Sequence, residues 1–179
     1  MVKGYATTLP CEMRTFVSVD CDPLVDGIRR AQEPFRDLAG VRSVDPSDAH
    51  VTLKFLGEVD EGRLPAVEEA LDAAVADSGV GPFDLRLGGY GAFPSTDYIR
   101  VVWVVAREGG EALTDLQAAV ESRLVDLGFD PEDHEFTPHV TVARMDDARE
   151  KRRVQRAIAE RDPEVGTMRV ERVALTEST

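Results

Sequence analysis

The segment HVTLKFLG, residues 50–57, returns in shortened form as HVTVAR, residues 139–144. Each copy sets a histidine and a threonine two positions apart in an apolar run, and the chain holds only three histidines. Alternate residues of a strand share a face. His50 and Thr52 therefore point one way while Val51 and Leu53 point the other, and His139 and Thr141 stand in the same relation to Val140 and Val142. Two histidines of opposite protonation serve as acid and base at neutral pH, and two hydroxyls beside them suit the oxygens of a phosphate. One such histidine alone reads as a structural residue. The matched pair reads as a site.

The histidines lie 139 − 50 = 89 residues apart, and their neighbours repeat with them. MRTFVSVD (13–20) reads as a strand, PLVDGIRRAQEPFRDLAG (23–40) as a helix interrupted at Pro34, and residues 50–57 as a strand. DEGRLPAVEEALDAAVADSG (60–79) carries Leu64, Val67, Leu71 and Val75 on one helical stripe with Gly79 after its end, and FDLRL (83–87) is a strand. The second half repeats the order. IRVVWVVA (99–106) is a strand, residues 111–129 a helix, 139–144 a strand, 146–162 a helix, and MRVERVALT (168–176) a closing strand. A shift of 89 carries Phe83–Leu87 onto Arg172–Thr176 and Val17 onto Ala106. The expected fold is α+β: two pseudo-symmetric β-α-β-α-β lobes, roughly 13–90 and 98–179, with antiparallel sheets lining a central cleft and helices outside. Residues 1–12 have no counterpart in the repeat and are expected to be a flexible extension to a single bilobal domain, 13–179.

Composition narrows the function. Asp and Glu number 34 against 21 Lys and Arg, a formal charge of −13, and only Lys3, Lys54 and Lys151 are lysines. Such a chain repels polyanions, which bind by phosphate neutralisation, so a nucleic acid is expected at one local site rather than along a basic face. Abundant carboxylates with arginine preferred to lysine suit hydration in high salt, and a halophilic source is expected. No run approaches the ~18 apolar residues of a membrane span, and the N-terminus lacks a charged-then-apolar leader; a cytoplasmic protein without membrane contact is expected. Cys11 and Cys21 have neither the spacing nor the neighbours of a metal or disulfide site and read as free thiols.

HVTLKFLG and HVTVAR resemble the paired His-x-Thr-hydrophobic signatures of the two-histidine (2H) phosphoesterases, and among these the RNA 2′,3′-cyclic phosphodiesterases, formerly called 2′-5′ RNA ligases. The resemblance runs from Met13 to the end, with MRTFVSVD similar to the opening strand, GAFPSTDYIRVVWVVA to the central segment and VALTEST to the start of the last strand. It implies hydrolysis of 2′,3′-cyclic phosphate RNA ends to 2′-phosphates, with no metal or other cofactor, and with 2′-5′ ligation as the reversal. His50 would be the proton donor and His139 the proton acceptor, while Thr52 and Thr141 hold phosphate oxygens. The implied partners are RNA 3′ ends carrying the cyclic phosphate, such as tRNA-like fragments or oligonucleotides, met by a monomer. A non-catalytic nucleotide-binding module and a phosphodiesterase of small cyclic nucleotides are the alternatives; two titratable groups favour catalysis.

Other residues divide between site and scaffold. Arg144 follows the second motif with parity opposite to His139, so it reaches the phosphate only if the strand bends. Lys54 shares parity with His50 and Thr52, which allows a peripheral phosphate contact, but it reads first as a solvated strand-end lysine. GGYGAFP (88–94) lacks the elements of a phosphate-binding loop and reads as a turn. Phe93 and Tyr90 are candidates for base stacking or for the core. REKRRVQR (149–156) is the most positive stretch and reads as a solvated basic face sooner than an RNA-binding one, and His134 as a loop residue outside any metal site.

Overall fold

The computed structural model describes residues 2–3 and 13–178. Two strands begin it, β1 (Val2–Lys3) and β2 (Met13–Asp20), followed by α1 (Val25–Gln32), β3 (Val41–Ser43), β4 (His50–Val59) and α2 (Leu64–Ser78). Then come β5 (Phe83–Pro94), β6 (Ile99–Glu108), α3 (Gly110–Asp126), β7 (His139–Met145), α4 (Lys151–Glu160), β8 (Glu164–Val170) and β9 (Val173–Glu177). The helices stop where their sequences say. Pro34 lies in the short 3₁₀ turn that ends α1, and Gly79 takes the left-handed conformation (φ 67°) that closes α2.

Two sheets form, in the orders β1-β9-β2-β4 and β3-β7-β6-β5-β8. Every pairing is antiparallel except β1 with β9. The α+β class and the paired sheets agree with the sequence, but the sheets are not the two halves of the chain. β5, from the first half, pairs with β6, and β9, from the second, pairs with β2. The helices cross as well: α3 packs on β4 beside α2, while α1 packs on β7 and β8, and α4 on β5. Each half lends its last strand and first helix to the other, and the short β3 crosses as well. The apolar side chains Val17, Val51, Leu71, Leu87, Val104, Leu124 and Val140 consequently join one continuous core.

The repeat also has a less uniform register than one shift of 89 implies. Thr52 pairs with Ser18 and Thr141 with Trp103, so β2 matches β6 at 103 − 18 = 85, and Val17 corresponds to Val102 rather than Ala106. Val17 pairs with Leu175 and Val102 with Ala92, so β5 matches β9 at 175 − 92 = 83. Only the motif strands keep 89; the connections between them absorb the differences in length without disturbing the pairing.

Three elements differ from expectation. GGYGAFP is strand, not turn: β5 runs through it, with an irregularity between Gly88 and Gly91. Trp103 lies across Gly91, where a Cβ would come within 2.2 Å of the indole, so glycine is what lets the strand pass; the turn falls at residues 95–98. MRVERVALT is two strands, β8 and β9, in different sheets, with Glu171-Arg172 as the crossing point. Of the 1–12 segment, Val2–Lys3 pairs with Val173 and Ala174, beyond its expected role; residues 4–12, with Cys11, lie outside the described residues. Cys21 is a free, buried thiol, its pKa pushed up to about 12 by burial.

Candidate active site

β4 and β7 lie side by side, one from each sheet. Between the sheets opens a cavity of about 510 Å³ whose wall includes His50, Thr52, His139, Thr141 and Arg144. The side chains arrive there by the same backbone device on both strands. His50 pairs with Asp20 and Thr52 with Ser18, but Val17 pairs with Lys54, leaving Leu53 unopposed. On β7, His139 pairs with Val105, Thr141 with Trp103 and Ala143 with Val102, leaving Val142 unopposed. An unopposed residue is a β-bulge, and it shifts the alternation by one. Lys54 and Ala143 turn into the core, and Phe55 and Arg144 turn onto the face of the histidines.

The bulge supplies the bend that Arg144 needs, and it corrects the reading of Lys54. That lysine is 2% exposed. Its Nζ donates to Glu121 Oε2 at 2.7 Å and to the Asp130 carbonyl at 2.8 Å. It ties β4 to α3 and to the loop before β7, whose Glu132, Glu135 and Phe136 line the cavity. Phe55, which periodicity alone sends to the opposite face, is 66% exposed in the cavity wall. A signal for it was present: adding 89 to 55 gives 144.

Each imidazole is held in the same way. His50 Nδ1 lies 2.6 Å from the Asp48 carbonyl oxygen, and His139 Nδ1 lies 2.6 Å from that of Thr137. A carbonyl only accepts, so Nδ1 carries a proton in both rings and Nε2 is the nitrogen that gives or takes one. The two acceptors again sit 89 residues apart, two before each histidine. Their surroundings differ. Phe16 stacks on His50 with ring centres 4.7 Å apart, while His139 meets Phe93 edge-on at 4.8 Å and Trp103 at 5.9 Å. Burial holds the His139 pKa below the ordinary 6.5; positive charge on His50 and Arg144 adds to this, against the hydrogen bond to Thr137. His139 thus holds its proton less readily than an ordinary imidazole.

Among the described residues, the hydroxyls of Thr52 and Thr141 and the guanidinium of Arg144 have no partner within the protein. Two donors and a cation face the cavity unspent. Of the stacking candidates, Phe93 lies in the wall against His139, whereas Tyr90 is scaffold: its hydroxyl donates to the Ala31 carbonyl and its ring meets Phe35. His134 stands on the rim with Glu132 and Asp133, one ligand atom from each within 4.8 Å of the others. The structure thus groups His134 with two acidic side chains that its reading as a loop residue does not join to it, and His134 Nδ1 lies 3.1 Å from Asp133 Oδ1. No helix among the described residues is long and apolar enough to cross a membrane.

Known proteins resemble the chain in both sequence and fold. Residues 21–179 match the model of the 2′-5′ RNA ligase superfamily. The RNA 2′,3′-cyclic phosphodiesterase of Methanothermobacter thermautotrophicus is 38% identical over 170 residues, 93% of this chain and 90% of its own. That of Archaeoglobus fulgidus is 41% identical over 74% of this chain and 73% of its own. A crystal structure of a Thermus thermophilus protein superposes with a TM-score of 0.71 at 29% identity, covering 91% of this chain and 87% of that one. E. coli LigT complexed with 3′-AMP shares the fold at 0.67 and 22% identity, over 94% and 96%. The chain belongs to the 2′-5′ RNA ligase superfamily of two-histidine phosphoesterases.

Proposed function

We propose that the protein hydrolyses RNA 2′,3′-cyclic phosphate ends to 2′-phosphate ends. One observation carries the reading: two imidazoles with Nδ1 tied to a carbonyl share a cavity with two unpartnered threonine hydroxyls. His139 Nε2 takes a proton from water as the oxygen attacks phosphorus. The bond from phosphorus to the 3′ oxygen breaks, and protonated His50 gives that oxygen its proton. A 2′-phosphate and a 3′-hydroxyl remain, and exchange with solvent restores both rings. Thr52, Thr141 and Arg144 hold the phosphate oxygens, where donors aimed at developing negative charge lower the barrier. With a 5′-hydroxyl end attacking in place of water, His139 takes that hydroxyl's proton, the bond to the 3′ oxygen breaks and His50 protonates it, and a 2′-5′ link forms.

The lowered pKa of His139 supports it as the acceptor. Action as a monomer and a cytoplasmic place belong to the same proposal. The test is incubation with 2′,3′-cyclic mononucleotides and with a cyclic-phosphate-ended oligonucleotide, with and without EDTA. Formation of 2′-phosphate at equal rates in both buffers is expected, since every step uses the chain's own groups. Binding without turnover across the pH range, or 3′-phosphate as product, would overturn the reading.

A further inference from the structure

Several arginines in this acidic chain are paired with carboxylates: Arg42 with Asp146, Arg86 with Glu164, Arg123 with Asp77 and Arg169 with Asp84. One stretch carries more cations than its own carboxylates can pair. Residues 149–156 hold Arg149, Lys151, Arg152, Arg153 and Arg156 against Glu150 alone, a local charge of +4 in a chain of −13. Arg149 is held by Asp147, and Arg153 lies 3.6 Å from Glu150. Among the described residues, Arg152 and Arg156 have no carboxylate partner, and both are exposed.

Their position gives the excess a direction. Arg152, Gln155 and Arg156 fall at i, i+3 and i+4, one face of α4. Gln155 Nε2 donates to the Thr96 carbonyl at 2.7 Å, which sets that face beside the turn joining β5 to β6. The turn carries Tyr98, 56% exposed, and next to it Arg100, whose guanidinium bonds the Tyr98 hydroxyl at 2.7 Å and lies 5.3 Å from the ring centre. The same two strand ends bring Phe93 and Val101 into the cavity wall. A basic surface with an exposed aromatic ring therefore begins where the cleft ends. The rim formed by the loop before β7, with Glu132 and Glu135, is acidic.

We infer that Tyr98, Arg100, Arg152 and Arg156 form a second surface, which takes the sugar-phosphate backbone and one base of the RNA strand leading away from the cleft. The inference rests on the cyclic-phosphate reading for what lies in the cleft itself. Cations supply sequence-independent affinity for the phosphates, and an exposed ring stacks on any base. The acidic rim turns the strand away from the other exit. Cyclic mononucleotides need only the cleft, whereas longer RNA ends use both surfaces.

The test compares wild type with the Arg152→Gln/Arg156→Gln double variant and with Tyr98→Ala. Binding of a 5′-labelled single-stranded RNA ending in a 2′,3′-cyclic phosphate is followed by fluorescence anisotropy over a salt series. The double variant should bind about tenfold more weakly at low salt, with a log–log salt slope smaller by about 1.4, since each single-strand phosphate contact contributes about 0.7. Tyr98→Ala should weaken binding without changing the slope. Full affinity and slope in the double variant would overturn the inference, as would wild type binding the oligonucleotide no more tightly than a mononucleotide. Hydrolysis of a 2′,3′-cyclic mononucleotide, unchanged in the variants, is measured in parallel. Its absence in wild type, with oligonucleotide binding intact, would remove the reaction and leave the surface.

Discussion

The strand that carries His50 and the strand that carries His139 are copies in backbone and differ in what surrounds them. Both place the histidine two residues after its carbonyl acceptor, a threonine two residues on, and a bulge that turns the fifth residue after the histidine into the cleft. That fifth residue is a phenyl ring on β4 and a guanidinium on β7. The ring against His50 is a stacked Phe16, whereas His139 is walled by Phe93 and Trp103. Backbone repetition thus delivers two equivalent proton carriers, and side chains make them unequal. Burial and nearby positive charge both lower the pKa of His139, which fits the proposed role of acceptor.

The most severe way to break the comparison is to remove either carrier. A positioned proton transfer is worth ~10²–10⁴-fold, so His50→Ala and His139→Ala should each lower turnover by about that much. Since both act in one displacement, the double variant should lose less than the product of the single losses. Fully multiplicative losses in steady-state assays would show that the two histidines do not work as a unit.

Lys54 separates the strands by stability rather than rate, because its counterpart on β7 is the small, buried Ala143. Lys54→Ala removes one partner of a buried ion pair and leaves the Asp130 carbonyl without its donor, a loss of about 3–5 kcal/mol by denaturant unfolding. A solvated lysine would cost within about 0.5 kcal/mol. Thr52→Val and Thr141→Val come next. Each removes a hydrogen bond to a charged group, about 1.5–3 kcal/mol of transition-state stabilisation read from kcat/KM. Similar losses for the two are expected, as the hydroxyls occupy matching places; a loss at one alone would show that the phosphate sits against one strand.

The smallest effect is the most specific. A base must be unprotonated, so activity rises with pH through the His139 pKa, and the acidic limb of kcat/KM should lie below 6.5. Arg144→Gln removes a charge that holds this pKa down, so the limb should move toward higher pH. Trp103, the only tryptophan, has its ring centre 5.9 Å from that of His139; its fluorescence should titrate with the same midpoint and shift with it. A midpoint unmoved by the variant would assign the limb to another group.

What the sequence shows of this site is what repeats. His50, Thr52, His139 and Thr141 are legible because period-two alternation and the offset of 89 point to the same four residues. Lys54, Phe55 and Arg144 are misplaced or undecided by the same rule, because a bulge leaves no mark on composition while reversing the face of every residue after it. The sheets show a similar boundary. Helix ends at Pro34 and Gly79 are local chemistry and can be read, and the strands β2, β4, β6 and β7 follow from their apolar runs. That β5 and β9 change partners depends on distant packing, and neither FDLRL nor VALTE contains it. GGYGAFP misleads for a related reason: its glycines serve the indole of Trp103, not a turn.

The exchange of β5, β9, α1 and α3 between the halves bears on how the molecule comes apart. The first sheet draws its strands from both ends of the chain, β1 and β2 from the start and β9 from the finish, so no cut between them leaves it whole. Melting either sheet withdraws a strand from one half and the helix support from the other. The cleft is consequently not a hinge between two bodies free to swing, and the spacing between His50 and His139 should survive until the whole domain unfolds in one cooperative step. Interleaving is the means by which a duplicated pair of strands is kept in registration as a single catalyst.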